Sequence, residues 1–142
     1  MASLTPGDPF HVAFLVFPDI TQLDLTGPFE VFKRIRGVET HLYWKSVDPV
    51  TSNSGLQLIP TRTLADPAAV DLLCVPGGPG QVPLMTDAAV LDWIRDTAAR
   101  SRWITSVCTG SLLLGAAGLL RGYRATTHWT AMDDLGLVGA IR

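Results

Sequence analysis

Continuous apolar runs alternate along this chain with stretches of helical spacing. The first run, His11-Val12-Ala13-Phe14-Leu15-Val16-Phe17, has the pattern of a strand covered on both faces. Pro18-Asp19 ends it. Phe29, Val31, Phe32 and Ile35 then recur at near-helical spacing, with Thr26 as the expected N-cap, Pro28 in the first turn and Gly37 as the stop. Thr40 to Ser46 reads as a second strand. Val50-Thr51-Ser52 and Leu56-Gln57-Leu58-Ile59, separated by Asn53-Ser54-Gly55, read as a small hairpin. Asp71 to Val75 is the next buried strand, and Pro76-Gly77-Gly78-Pro79-Gly80 a loop. Asp87 is expected to cap a helix reaching Arg100, with Val90, Leu91 and Ile94 on one face. A strand from Arg102 to Val107 leads into a helical run, Ser111 to Ala117, that Gly118 closes. Tyr123 to Thr127 reads as a short strand and Thr130 to Leu135 as a short helix.

Strands alternating with helices imply an α/β fold, a parallel sheet with helices on both faces. Ligands bind such sheets outside the carboxyl ends of the strands. Three polar loops are expected on that edge: Pro18 to Asp24, Pro76 to Gly80, and Cys108-Thr109.

The last of these carries the chemistry. Ser106-Val107-Cys108-Thr109-Gly110, between a strand and a helix, has the small-x-nucleophile-x-Gly form of a nucleophile elbow, a sharp turn that lifts its central side chain above the sheet. A cysteine there lies at a helix N-terminus. Free N–H groups and the helix dipole favour its thiolate, and the same groups suit an oxyanion. The alternative is an inert, buried cysteine, the commoner role for a free thiol. The flanking strand, Thr-Gly and helix favour catalysis.

Composition narrows the classes. The chain has 142 residues, 47% of them hydrophobic, and a net charge of −2. One domain, residues 1–142, is expected. No basic run suggests a nucleic-acid or anionic-membrane surface. The longest uncharged stretch, Trp103 to Leu120, is too polar and glycine-rich to span a membrane. The amino-terminal segment has neither a positive region nor an apolar one, so no signal peptide is expected. Two cysteines, Cys74 and Cys108, fit free thiols in the cytoplasm. No cofactor is expected. No His/Cys cluster has zinc spacing, so no metal is expected either.

Four segments together, Gln22 to Pro28, Val75-Pro76-Gly77-Gly78, Thr105 to Ser111 and Ala125-Thr126-Thr127-His128-Trp129, resemble the ThiJ/PfpI superfamily, and within it the isocyanide (isonitrile) hydratases. The same motifs occur in cysteine-bearing regulatory domains of AraC-type transcription factors. The resemblance runs from about His11 to the last residue. It implies a flavodoxin-like, class I glutamine amidotransferase-like sheet. It also implies that Cys108 is the nucleophile, Asp24 its acidic partner, Gly78 the glycine whose N–H faces the sulfur, and Thr109 the residue whose N–H completes that pocket. Pro79 stands where hydratases commonly carry a hydroxyl. Thr109 stands where a Cys-His pair would put histidine, which weakens a glyoxalase-like or peptidase-like reading.

Superfamily members usually run further, so an incomplete domain is expected, with apolar sheet edges left bare and a tendency to form homodimers. The leading expectation is hydration of a small-molecule isocyanide to an N-substituted formamide. The alternatives are a ligand-sensing domain of an AraC-type regulator, or a redox protein whose Cys108 is oxidised. Thiolate attack needs a proton carrier, and Asp24 is the candidate. A carboxyl beside a thiolate favours its protonated form, since two anions at contact distance repel. Asp24 also qualifies as a plain helix cap. Cys74, mid-strand, reads as core. His128 reads as a hydrogen-bonded structural residue, and Asp133-Asp134 as solvated surface.

Overall fold

A computed structural model describes residues 7–142; the segment read as carrying no signal peptide lies partly outside them, at residues 1–6. Five parallel strands form the main sheet: β1 (Phe10–Leu15), β2 (Val38–Trp44), β5 (Arg62–Thr63), β6 (Leu72–Val75) and β7 (Trp103–Ser106), in the order β5-β2-β1-β6-β7. A hairpin of β3 (Val50–Thr51) and β4 (Gln57–Leu58) stands apart as its own two-stranded sheet. The helices are α1 (Gln22–Lys33), α2 (Gln81–Leu84), α3 (Ala88–Arg100) and α4 (Gly110–Ala116), and a 3-10 segment covers Trp129–Val138. No helix among the described residues is long and apolar enough to cross a membrane.

The strand order explains the layers. The chain steps from β1 to β2 in one direction and from β6 to β7 in the other. Crossovers between parallel strands are right-handed, so α1 and α3 fall on opposite faces. β1 and β6 are therefore the point where the order reverses, and a crevice opens at their carboxyl ends. Val12 to Phe17 are fully buried, as their continuous apolar run requires. Phe14 meets Phe29 and Phe32 of α1 at ring distances of 5.8 and 6.3 Å. Beyond β6, Val90, Trp93 and Ile94 of α3 and Leu113 of α4 close the core.

Most expected elements are present, with three differences. The first helix begins at Gln22, not near Thr26, because the chain stays extended only to Thr21 (ψ 103°). Pro28 therefore lies inside α1, where its missing N–H leaves the Asp24 carbonyl without a helical partner. Tyr123 to Thr127 form no strand: the segment makes a single bridge, Arg124 to Ile141, and finds no neighbouring strand. β5 and α2, each shorter than a sequence period can reveal, were not expected. Asp87 caps α3 as expected, accepting the Val90 N–H at 3.2 Å, and Gly118 adopts the left-handed conformation just past α4. β7 is an edge strand on which Trp103 and Ile104 are exposed.

Candidate active site

The elbow forms at the end of β7. Cys108 has φ +56°, a left-handed conformation that is costly for any residue with a Cβ. The turn closes through the Gly110 N–H, which donates to the Val107 carbonyl at 3.0 Å. Glycine is required at 110, since a Cβ there would lie 1.9 Å from the Val75 carbonyl oxygen. That close approach seats the start of α4 against β6 and holds the strained cysteine in place. Two hydroxyls fix the Cys108 carbonyl, Thr127 at 3.1 Å and Ser111 at 3.4 Å.

Asp24 reaches the elbow from β1's side of the crevice. The sequence places it in a loop; it lies instead in the first turn of α1, with its N–H donated to the Thr21 carbonyl at 3.0 Å. The position suits a carboxylate at the positive end of a helix. Its side chain does not cap the helix: it lies near enough to the Cys108 thiol to push it up. Its Oδ2 is buried with no hydrogen-bond partner.

Gly78 and Thr109 complete the surroundings of the sulfur. Thr109 offers it both a backbone N–H and a hydroxyl. The Gly78 N–H does not go to the sulfur directly, as the motif implies; it donates to Thr109 Oγ1 at 3.1 Å. The hydroxyl thus accepts from Gly78 beside the Cys108 sulfur. Gly78 has φ +123°, and a Cβ would meet the Thr21 N at 2.3 Å, so this approach also requires glycine.

The electrostatics overturn one expectation. A helix-start cysteine is expected to favour thiolate, yet the Cys108 thiol is pushed above its ordinary value. Burial is the main cause. The Thr109 N–H opposes it, and the charge and hydrogen bond of Asp24 push the thiol up again. α4 is only 7 residues long, so its dipole is short. Burial and the nearby Asp24 charge therefore both favour the thiol form of Cys108.

A cleft of about 400 Å³ opens over the sulfur, lined by Thr21, Asn53, Gly78, Gln81, Thr109 and His128 among others. Asn53 comes from the β3–β4 turn and donates to Thr21 Oγ1 at 3.4 Å. Gln81 is 5% exposed with its Oε1 unpaired. Nothing in the linear sequence signals either residue, because hairpin and α2 meet the cleft only through the fold. His128 stands at the rim, but its Nδ1 lies 2.7 Å from Thr130 Oγ1 and accepts the Thr130 N–H, so it serves the 3-10 segment as expected. Cys74 is buried core as expected. Asp133 is exposed and pairs with Arg142. At the opposite, amino end of the sheet the fold gathers His11, Glu39 and His41, a grouping that sequence spacing conceals.

Comparison with known proteins agrees with this geometry. The DJ-1/PfpI family model matches residues 10–141. The chain is 57% identical to an isonitrile hydratase of Pseudomonas putida over 92% of its own length and 58% of that relative's, so it spans little more than half of that protein. It is 30% identical to the HTH-type transcriptional regulator GbdR of Pseudomonas aeruginosa, covering 93% of this chain and 39% of the regulator. A crystal structure of a ThiJ/PfpI family protein from Pseudomonas syringae superimposes with a TM-score of 0.89 at 43% identity, over 99% of this chain and 62% of that one. With the elbow, the carboxylate partner and the family match all in the same fold, the chain belongs to the DJ-1/PfpI family.

Proposed function

We propose that this protein hydrates isocyanides to N-substituted formamides, with Cys108 as nucleophile and Asp24 as proton carrier. The observation that carries the reading is a cysteine on a strained elbow at the floor of an open cleft, with the Asp24 carboxyl, its Oδ2 buried and unpaired, near enough to push the thiol up. An isocyanide carbon accepts a nucleophile and a proton at the same atom. The Cys108 sulfur bonds to that carbon, and the thiol proton, passed through Asp24, bonds to it as well. The product is a thioformimidate, S–CH=N–R. Water then adds to this carbon, the nitrogen takes up a proton and the C–S bond breaks. The sulfur recovers its proton and the formamide leaves. A raised thiol suits this cycle, because the proton needed at carbon is already in the site. The Thr109 N–H and hydroxyl hold the sulfur as it gains negative charge. Identity to the Pseudomonas putida hydratase supports the substrate class.

The relation to GbdR favours a second reading, a sensing domain that binds a ligand in the same cleft without turning it over. A redox role draws less support, since oxidation favours cysteines with lowered thiols. Incubation of the protein with a simple alkyl or aryl isocyanide, followed by chromatography for the formamide, separates these readings. Formamide formation supports the hydratase; reversible binding without product favours the sensor. Two free thiols support a cytoplasmic address. The exposed Trp103 and Ile104 on β7 support a homodimer, and the net charge of −2 argues against a nucleic-acid partner.

A further inference from the structure

The amino end of the sheet carries a second cluster, remote from Cys108 in the fold. β1 and β2 pair in parallel with His11 opposite Glu39 and Ala13 opposite His41. Paired residues share a face, as do residues two apart on a strand, so His11, Glu39 and His41 stand together on one side. Their donor atoms all lie within 4.8 Å of one another. His11 Nδ1 is 3.6 Å from Glu39 Oε2, and His41 Nε2 is 3.7 Å from the same oxygen. Both separations are too long for hydrogen bonds. Both nitrogens are closed off from solvent and have no partner. The rings stack at 5.7 Å and 22°, which holds them side by side.

Two unpaired imidazole nitrogens converging on one carboxylate oxygen are costly unless something joins them. A tetrahedral zinc ion binds nitrogen and oxygen ligands at about 2.0–2.2 Å, which places neighbouring donors roughly 3.3–3.6 Å apart. The observed 3.6 and 3.7 Å sit at the edge of that span, and the two nitrogens, within 4.8 Å of each other, need only small side-chain shifts to close on an ion. The charge of Arg62 on the neighbouring strand β5 is felt at His41. Arg62 is itself paired with Asp66 at 3.1 Å, which moderates its repulsion of a cation.

We propose that His11, Glu39 and His41 bind one divalent transition-metal ion, with zinc the best chemical match and the fourth position left to water. Two nitrogens and a carboxylate suit zinc over calcium or magnesium, which prefer all-oxygen sites. The three ligands come from two adjacent strands, so the ion ties β1 to β2 and acts on stability. Its place at the amino end of the strands keeps it out of the chemistry at Cys108.

The test is equilibrium dialysis of the Cys108→Ser protein against zinc, with cobalt as an optical probe. The substitution removes the cleft thiol as a competing ligand. The expected result is one ion per chain, an unfolding midpoint raised by zinc, and a cobalt visible band of tetrahedral intensity without sulfur-to-metal charge transfer. Glu39→Gln and His41→Gln should each weaken binding by more than the roughly 10-fold lost when an outer-shell partner of a metal site is removed. Glu39 is exposed, so its variant folds even if the histidine variant does not. Binding unchanged in Glu39→Gln, or no binding in excess zinc, would overturn the proposal while leaving the hydratase reading intact.

Discussion

Cys74 and Cys108 lie at the ends of neighbouring strands of one sheet, and Asp24 raises both thiols. Their settings differ in backbone. Cys74 is in the regular ladder of β6, opposite Thr105, and is 2% exposed; burial alone dominates it and pushes its thiol up to about 11. Cys108 stands three residues further along the next strand's path, on a left-handed turn that lifts it out of the ladder to the floor of the cleft. There the Thr109 N–H counteracts burial, and the nearby Asp24 pushes the thiol up. On the proposed reading, reactivity follows the turn that brings a sulfur to the cleft beside Asp24, and not a lowered thiol.

The sharpest way to break the comparison is to delete each sulfur. Cys108→Ala should lower formamide formation by about four orders of magnitude or more, as loss of a covalent nucleophile does. Cys74→Ala should leave kcat unchanged and cost about 1 kcal/mol in denaturant unfolding, from the small cavity. Equal losses of turnover in both variants would show that the turn is not what separates the two thiols.

Asp24→Asn sharpens the comparison at Cys108 alone. Turnover should fall by about 10²–10⁴-fold, because the proton carrier is gone. The same variant removes the charge that raises the Cys108 thiol, so alkylation by iodoacetamide at mildly alkaline pH should become faster. Slower turnover with faster alkylation is the signature of proton transfer. A parallel fall in both would point to a displaced elbow.

The smallest effect belongs to Cys74. The unfolded thiol ionises near 9.0, the folded one near 11. Below pH 9 both states hold the proton, and its full contribution is present. As pH rises through this window the unfolded chain loses the proton first, so stability falls by up to about 3 kcal/mol and levels off above the folded value. Urea unfolding of wild type and Cys74→Ala across this range should differ in slope, with the variant the flatter.

Much of this was legible in the sequence, for physical reasons that differ along the chain. The continuous run through Val16 and the elbow around Cys108 announce themselves, because buried parallel strands and a strand-to-helix turn leave strong local patterns. Asp24 was legible as a residue but not as a helical one. The start of α1 depends on where Thr21 leaves the extended path, and its N–H bonds the Gly77 carbonyl of a distant loop at 3.0 Å. The route from Gly78 through Thr109 Oγ1 was hidden for the same reason: hydrogen bonds between loops have no period. Asn53 enters the cleft from the turn of a hairpin whose strands are 2 residues long and Gln81 from a helix of 4, too short to show a repeat. The histidine cluster was missed because its members pair across strands.

The most direct test of Cys108 as nucleophile is rapid quenching of the protein with an aryl isocyanide, followed by peptide mass spectrometry. The account predicts a transient adduct with the full mass of the isocyanide on the peptide carrying Cys108. Cys74 should stay unmodified, and the adduct should decay as formamide appears. Formamide produced with no adduct at Cys108, or an adduct on Cys74 instead, would contradict it.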